Sequence, residues 1–523
     1  MFLKKINNFI TNDKFLLFII FLVSFLINKN YANLGAFPID TFLHFDSGFR
    51  ILNGEYPIKD FWIVSGIAVD YLEALFFYLL GVSWKTHVIH SSLFNGIITL
   101  ATYGVLRSFQ FKKIYSFLYS LFFGILAYPP SGTPFVDHHA AFFALLGIYC
   151  FILALNNKKD FYWIFMPIFF GLSFFSKQVP GSYIILPIAI ITIFYSIIKK
   201  EYNPIKYSLL GSVVFFIIVF FIGAAHGISL NAFFTQYIMH PQSIADKRLN
   251  NLNFSFGSFV THYKFIFLAL IPLIYLNISN IFNNKNYLKE KKFYIFLIIL
   301  FYTVGLIFHQ ILTKNQIFIY FLCPLLFAFL KIYLNSFVKS KKIIFLIILA
   351  LTFFITIKYH LRFNENRKFH ELINVNLNLS EEAYLIDKRL EGLKWITPHH
   401  RNNPKNEIDF LNNTLKILKQ DKRNKMVMTN YLFFSTIMNE KLNSPSKTYT
   451  LNGVSFPVKG NKYYLSYKKY LNKKVKDNEI KVIYIISLGS EVSNRYVYDY
   501  LDKNCIIEQI FTKQFKKYEI NKC

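Results

Sequence analysis

Over its first 358 positions the chain repeats one pattern: long apolar runs, separated by short breaks that hold lysines. Runs of roughly 17 to 25 residues are long enough to cross a hydrocarbon core as helices. They fall near 14–29, 88–106, 113–129, 139–156, 161–177, 180–198, 207–227, 263–282, 293–312, 316–336 and 341–358. These eleven predict membrane-spanning helices. A twelfth apolar stretch, 61–82, carries Gly66, Asp70 and Glu73, and two acids in hydrocarbon are costly.

Charge decides how that stretch is placed. Basic clusters favour the cytoplasmic side of a membrane. If 61–82 lies along the outer interface, one side collects Lys4, Lys5 and Lys14; Arg107, Lys112 and Lys113; Lys158 and Lys159; Lys199, Lys200 and Lys206; Lys285, Lys289, Lys291 and Lys292; and Lys339, Lys341 and Lys342. The other side holds only scattered bases: Lys29, Arg50, Lys59, Lys85, Lys177, Lys247, Arg248, Lys264 and Lys314. A spanning 61–82 would invert this bias. The expectation is therefore eleven spans plus an outer interfacial helix, with the N-terminus in the cytoplasm. The first run follows Lys4, Lys5 and Lys14 with no small-residue cleavage site, so it is expected to stay as a signal anchor.

From about 359 the pattern turns polar. MVMTNY (426–431) and KVIYIIS (481–487) have the apolar content of buried strands, while 408–420 and 494–503 have helical spacing. This predicts a transmembrane domain over 1–358 and a small α/β extracytoplasmic domain over 359–523.

Composition agrees: 54% of residues are hydrophobic and 19% aromatic, which places the chain among polytopic membrane proteins. The net charge of +29 is spread over topology signals and the polar tail rather than a basic stripe, so nucleic acid is not an expected partner. Of four cysteines, Cys150 and Cys323 lie in apolar runs. A Cys505–Cys523 bridge would need an oxidising compartment.

Two outer stretches carry candidate chemistry. The first, PIDTFLHFDSGFRILNGEYPIKDFW (38–62), lies in the expected outer loop 30–87. A helix over 40–53, ended by Gly54, would put Asp40 and His44 on one face and turn Asp46 away. The second, SGTPFVDHHAAF (131–142), sets Asp137, His138 and His139 at the start of a span. Acids at a membrane boundary are costly unless they act, although Asp137 could simply cap its helix. Adjacent helical histidines diverge by about 100°, which argues against both ligating one metal ion. Lys177 closes a span on the same side, as a snorkelling lysine or as a point charge on a phosphate. His226, His240 and Arg248 are weaker candidates in a 226–262 loop.

This pattern resembles the GT-C class of integral-membrane glycosyltransferases, in the branch of protein O-mannosyltransferases and lipid A aminoarabinose transferases. The resemblance rests on one span and an outer-loop acid before a short helix, and then Gly54-Glu55-Tyr56-Pro57-Ile58-Lys59-Asp60-Phe61. LLGVSW (79–84), the Asp137 loop and the Ser176-Lys177 turn complete it, so it covers about the first 200 residues. It implies transfer of a sugar from a polyprenyl-phosphate donor to a lipid, glycan or protein acceptor outside a bacterial inner membrane, without a cofactor. The first-loop catalytic acid would fall on Asp40, with Asp46 as competitor, and the second on Asp137. Where the class often has Asp-Glu, this chain has Asp40-Thr41. His44, Arg50, His138, His139 and Lys177 would line the substrate site. The rival readings are a transporter or flippase, and a polysaccharide ligase or polymerase of the cell envelope.

Overall fold

The structure, a computed structural model, describes residues 13–250, 252, 255–284, 286–313, 319–335 and 342–521. Lys4, Lys5, Lys285, Lys314, Lys339, Lys341 and Cys523 lie outside the described residues. Each of the eleven apolar runs falls on a helix: Asp13–Ala32, Trp84–Ser108, Lys113–Leu126, Val136–Asn157, Phe161–Ser176, Gln178–Lys199, Asn203–Ala225, Phe256–Asn283, Lys291–Thr313, Leu322–Leu334 and Lys342–Tyr359. Eight helices have the length and hydropathy to cross a membrane, and Lys113–Leu126, Phe161–Ser176 and Ile319–Leu334 are apolar but shorter. Val136–Asn157 runs through the centre, 89% buried, whereas Asn203–Ala225 is 11% buried and bares Phe216, Phe220 and Phe221. A helix apolar all round and this exposed is stable only against lipid. The chain is an integral membrane protein.

The helices run between two ends. At one end Lys113 pairs with Asp13 at 2.9 Å, and the buried Lys331 ammonium lies 2.8 Å from the centre of the Tyr115 ring. At the other end Arg367 donates to the carbonyls of Leu34 and Pro129, and Lys177 meets Asp137. All the candidate chemistry gathers there.

Two expected helices come out differently. The stretch 40–53 is not one helix but two, Pro38–Thr41 and Phe45–Leu52, because the chain bends at Phe42 to bury that ring against Phe45, Trp84 and Phe433. Gly54 follows the second helix at φ +76°, the left-handed conformation that ends a helix without strain in glycine. In 61–82 only Ile67–Leu80 is helical. That helix is inside out by the standard of a soluble protein: Asp70 and Glu73 are fully buried, while Leu75, Tyr78, Leu79 and Leu80 are exposed.

The C-terminal region holds a two-stranded ribbon, β1 (Glu381–Glu382) with β2 (Lys394–Trp395), and a four-stranded sheet. The sheet comprises β3 (Lys425–Thr429), β4 (Val482–Ile486), β5 (Ile506–Thr512) and β6 (Phe515–Ile520), in the order β3-β4-β6-β5. β3 and β4 are parallel, with Met426 opposite Ile483, and buried at every position, as near-continuous apolar strands must be. Helices Pro404–Gln420 and Tyr464–Asp477 accompany it. The expected helix over 494–503 is limited to Arg495–Tyr498. Beyond it, the Asp499 and Tyr500 carbonyls are taken by the Tyr464 hydroxyl and the Asn472 amide.

This region is not a separate bead. Ala32, Phe42, Phe45, Phe77 and Trp84 from the membrane half share one core with Trp395, Leu411, Phe433 and Tyr484. Trp62 sits in a second core with Met428, Phe456 and Tyr467. Cys150 and Cys323 are buried free thiols, and Cys505 is disulfide-bonded.

Candidate active site

Asp40 stands on a single helical turn that Pro38 opens, a position where the missing N–H of proline costs nothing. Its side chain is half-buried, and among the described residues no side chain or backbone group hydrogen-bonds its carboxylate. Burial pushes that carboxyl up to about 7, with the negative charge of Asp137 adding to the rise and Lys177 opposing it. Asp40 therefore shares an electrostatic neighbourhood with two residues far away in sequence, yet is tied to neither.

Asp137 opens the helix Val136–Asn157 and is saturated. Lys177 donates to both of its oxygens at 2.8 Å, and His309 Nε2 lies 2.6 Å from Oδ1. The loop before it is held close by Gly132, at φ +75°, where a Cβ would lie 2.6 Å from the Ala32 backbone; only glycine fits. Lys177 occupies the extended junction between Phe161–Ser176 and Gln178–Lys199 and keeps 23% of its side chain exposed. An ammonium has three donors, so two to Asp137 leave a third for a ligand.

Two further ionic clusters lie at the same end of the molecule. Asp70 receives Lys447 at 2.6 and 2.8 Å, His44 Nδ1 at 2.6 Å and the Ser47 hydroxyl. Burial pushes Asp70 up to about 6 against the pull of Lys447, and keeps His44 well below the usual imidazole range. Glu73 receives His87 Nδ1 at 2.7 Å and His90 Nδ1 at 2.6 Å. Burial alone would raise Glu73, but His87 and His90 hold it at about 2. His87 Nε2 donates to the Thr41 carbonyl at 3.0 Å, so this second cluster reaches the residue next to Asp40.

The other candidates have packing partners instead. Asp46 accepts from the Thr436 N–H at 3.1 Å, the Ser435 hydroxyl at 2.9 Å and the Thr436 hydroxyl at 3.2 Å, capping the helix Phe434–Met438 from a distant part of the chain. Arg50 pairs with Glu55 at 3.0 Å, donates to the Ser444 carbonyl and lies over the Phe61 ring. His138 packs among Tyr128, Phe135, Phe142 and Phe369. His139 contacts the Tyr128 hydroxyl at 2.5 Å and His90 at 3.2 Å. His226 is stacked on Tyr56, and His240 lies edge-on to Trp62.

Sequence reading missed His309, His87, His90 and Lys447. The three-residue spacing of His87 and His90 puts them on one helix face opposite the Glu73 already visible in 61–82, a usable signal. His309 and Lys447 gave none, since the groups they meet, Asp137 and Asp70, lie 172 and 377 positions away. Among the described residues no group of three or more His, Cys, Asp or Glu is arranged to hold a metal ion.

No family model matches the chain, and no curated protein matches it. Among solved structures it is similar to ArnT from Cupriavidus metallidurans bound to undecaprenyl phosphate. That likeness covers 97% of this chain and 98% of that one at 10% identity, with a TM-score of 0.44.

Proposed function

We propose that this membrane protein is a glycosyltransferase that moves a sugar from a polyprenyl-phosphate donor to an acceptor hydroxyl, with Asp40 as the general base. The observation that carries the reading is the state of Asp40: a half-buried carboxylate without a hydrogen-bond partner among the described residues, pushed up to about 7, beside a partly exposed lysine. A hydroxyl is a weak nucleophile at neutral pH, and a base works best when its pKa lies near the working pH. The saturated Asp137 has no such freedom; its part is to hold Lys177 in place.

In the reaction the acceptor oxygen forms a bond to the anomeric carbon while its proton passes to Asp40. The bond from that carbon to the phosphate oxygen breaks, and its electron pair leaves with the polyprenyl phosphate. Charge growing on the sugar ring is stabilised by the carboxylates, and charge on the phosphate by the free donor of Lys177. One direct displacement inverts the anomeric configuration. The sequence resemblance of 38–62 and 131–142 supports the same donor class, on the outer face of a bacterial inner membrane.

Transfer is measured in membranes supplied with undecaprenyl phosphates that carry radiolabelled glucose, mannose or arabinose. Asp40→Asn is expected to lower transfer about 10²- to 10⁴-fold while carrier binding persists. Wild-type rates in Asp40→Asn would overturn the assignment.

A further inference from the structure

The last apolar helix ends at Tyr359, and the chain then passes through Arg367, Phe369 and His370 before it reaches the sheet domain. This strap belongs to neither ionic cluster, and sequence analysis gave it no role. Its Arg367, Phe369 and His370 nonetheless bind the two loops that lead to Asp40 and Asp137. His370 is fully buried. Its Nδ1 lies 3.2 Å from the Phe37 N–H, at the cap position of the Asp40 turn, and 3.1 Å from the Thr41 hydroxyl. Its Nε2 lies 2.9 Å from the Ser131 carbonyl in the loop that leads to Asp137.

Those backbone partners fix the tautomer. An N–H can only donate and a carbonyl can only accept, so Nδ1 is bare and Nε2 carries the proton. The imidazole is thus a rigid spacer between the two loops. Its neighbours do the same job. Arg367 donates to the carbonyls of Leu34, Pro129, Pro130 and Ser131, and Phe369 packs edge-on against Phe135 with ring centres 4.9 Å apart.

We propose that His370 is a positioning residue: it sets the separation of Asp40 from Asp137 by binding the Asp40 turn through Nδ1 and the Asp137 loop through Nε2. This rests on the reading of Asp40 as the base. Because the charge of Asp137 helps to raise Asp40, a change in their separation shows in the pH dependence of the rate as well as in its size.

Two substitutions divide the ring. His370→Gln offers an amide near Nε2 and gives up the Nδ1 acceptor; His370→Asn does the reverse. The full chain in detergent is assayed with the same labelled undecaprenyl phosphates. His370→Gln is expected to lower kcat about tenfold to a hundredfold, since a displacement of about 1 Å costs that much, with KM for the carrier within twofold. The acid limb of its pH profile is expected to move down by about half a unit as Asp40 leaves Asp137. Thr41→Val, which removes one Nδ1 partner while leaving the ring, is expected to move the limb in the same direction. If His370→Gln and Thr41→Val lose only thermal stability, with kcat per folded molecule and the limb unmoved, the positioning role is overturned. If His370→Gln does not fold, His370→Asn and Thr41→Val decide by the same two readings. Full activity in Asp40→Asn would remove the base itself, whereas an inactive Asp40→Asn with an unaltered His370→Gln removes the positioning role alone.

Discussion

The Lys447 ammonium lies 2.6 and 2.8 Å from the two carboxylate oxygens of Asp70, across 377 positions of sequence. Both side chains are almost wholly buried, and they meet at Gly66, where φ is +96° and a Cβ would lie 2.8 Å from the lysine nitrogen. The sheet domain is thereby bolted to the helix that packs behind the site.

Breaking that bolt from one side leaves a buried charge unpaired. Lys447→Met is expected to destabilise the protein by about 3–5 kcal/mol, and Lys447→Met with Asp70→Asn by clearly less. Thermal unfolding of the four members of the cycle in detergent measures the coupling. A double-variant loss equal to the sum of the two single losses would mean that the pair is not coupled and contributes nothing beyond packing.

The rate should depend on pH through Asp40. Its carboxyl is pushed up to about 7, and only the ionised form accepts a proton, so activity is expected to rise with pH through about 7. Asp137→Asn removes a charge that raises Asp40, so the midpoint of its residual activity should move to lower pH. For stability the sign is opposite. A carboxyl whose folded pKa lies above its unfolded value costs stability as pH rises from about 4 to about 7. Asp40→Asn should therefore raise the melting temperature more at pH 8 than at pH 4. A variant less stable than wild type at pH 8 would contradict this.

Asp46 is expected to matter for assembly. It caps Phe434–Met438 from the first loop, and losing a cap costs about 1–2 kcal/mol. Asp46→Ala should lower stability by that amount and leave kcat within about twofold. A hundredfold loss of kcat at full stability would return Asp46 to the chemistry.

The membrane half was legible because its signal is local. A run of apolar residues must be helical wherever it lies in lipid, so all eleven runs fell on helices. Strands β3 and β4 were legible for the same reason, as short apolar runs in polar surroundings. What was lost depended on distance. Asp70 could be read only as a burden on a span, because Lys447, which compensates it, lies 377 positions away. Asp46 stood as a competitor to Asp40 because the helix it caps lies 390 positions away. Nothing in the pattern of 40–53 showed the bend at Phe42, whose cause is a ring pocket built partly from Phe433.

The bolt between Lys447 and Asp70 also imposes an order of events on biosynthesis. The first loop is made early, but Asp70 cannot settle into its dry position until residue 447 has left the ribosome and reached the same place. Until then Asp70 has only His44 and the Ser47 hydroxyl to meet it, and a buried carboxylate without its lysine is costly. A chain that stops short of that residue would have all eleven apolar helices and still lack the lysine that meets Asp70.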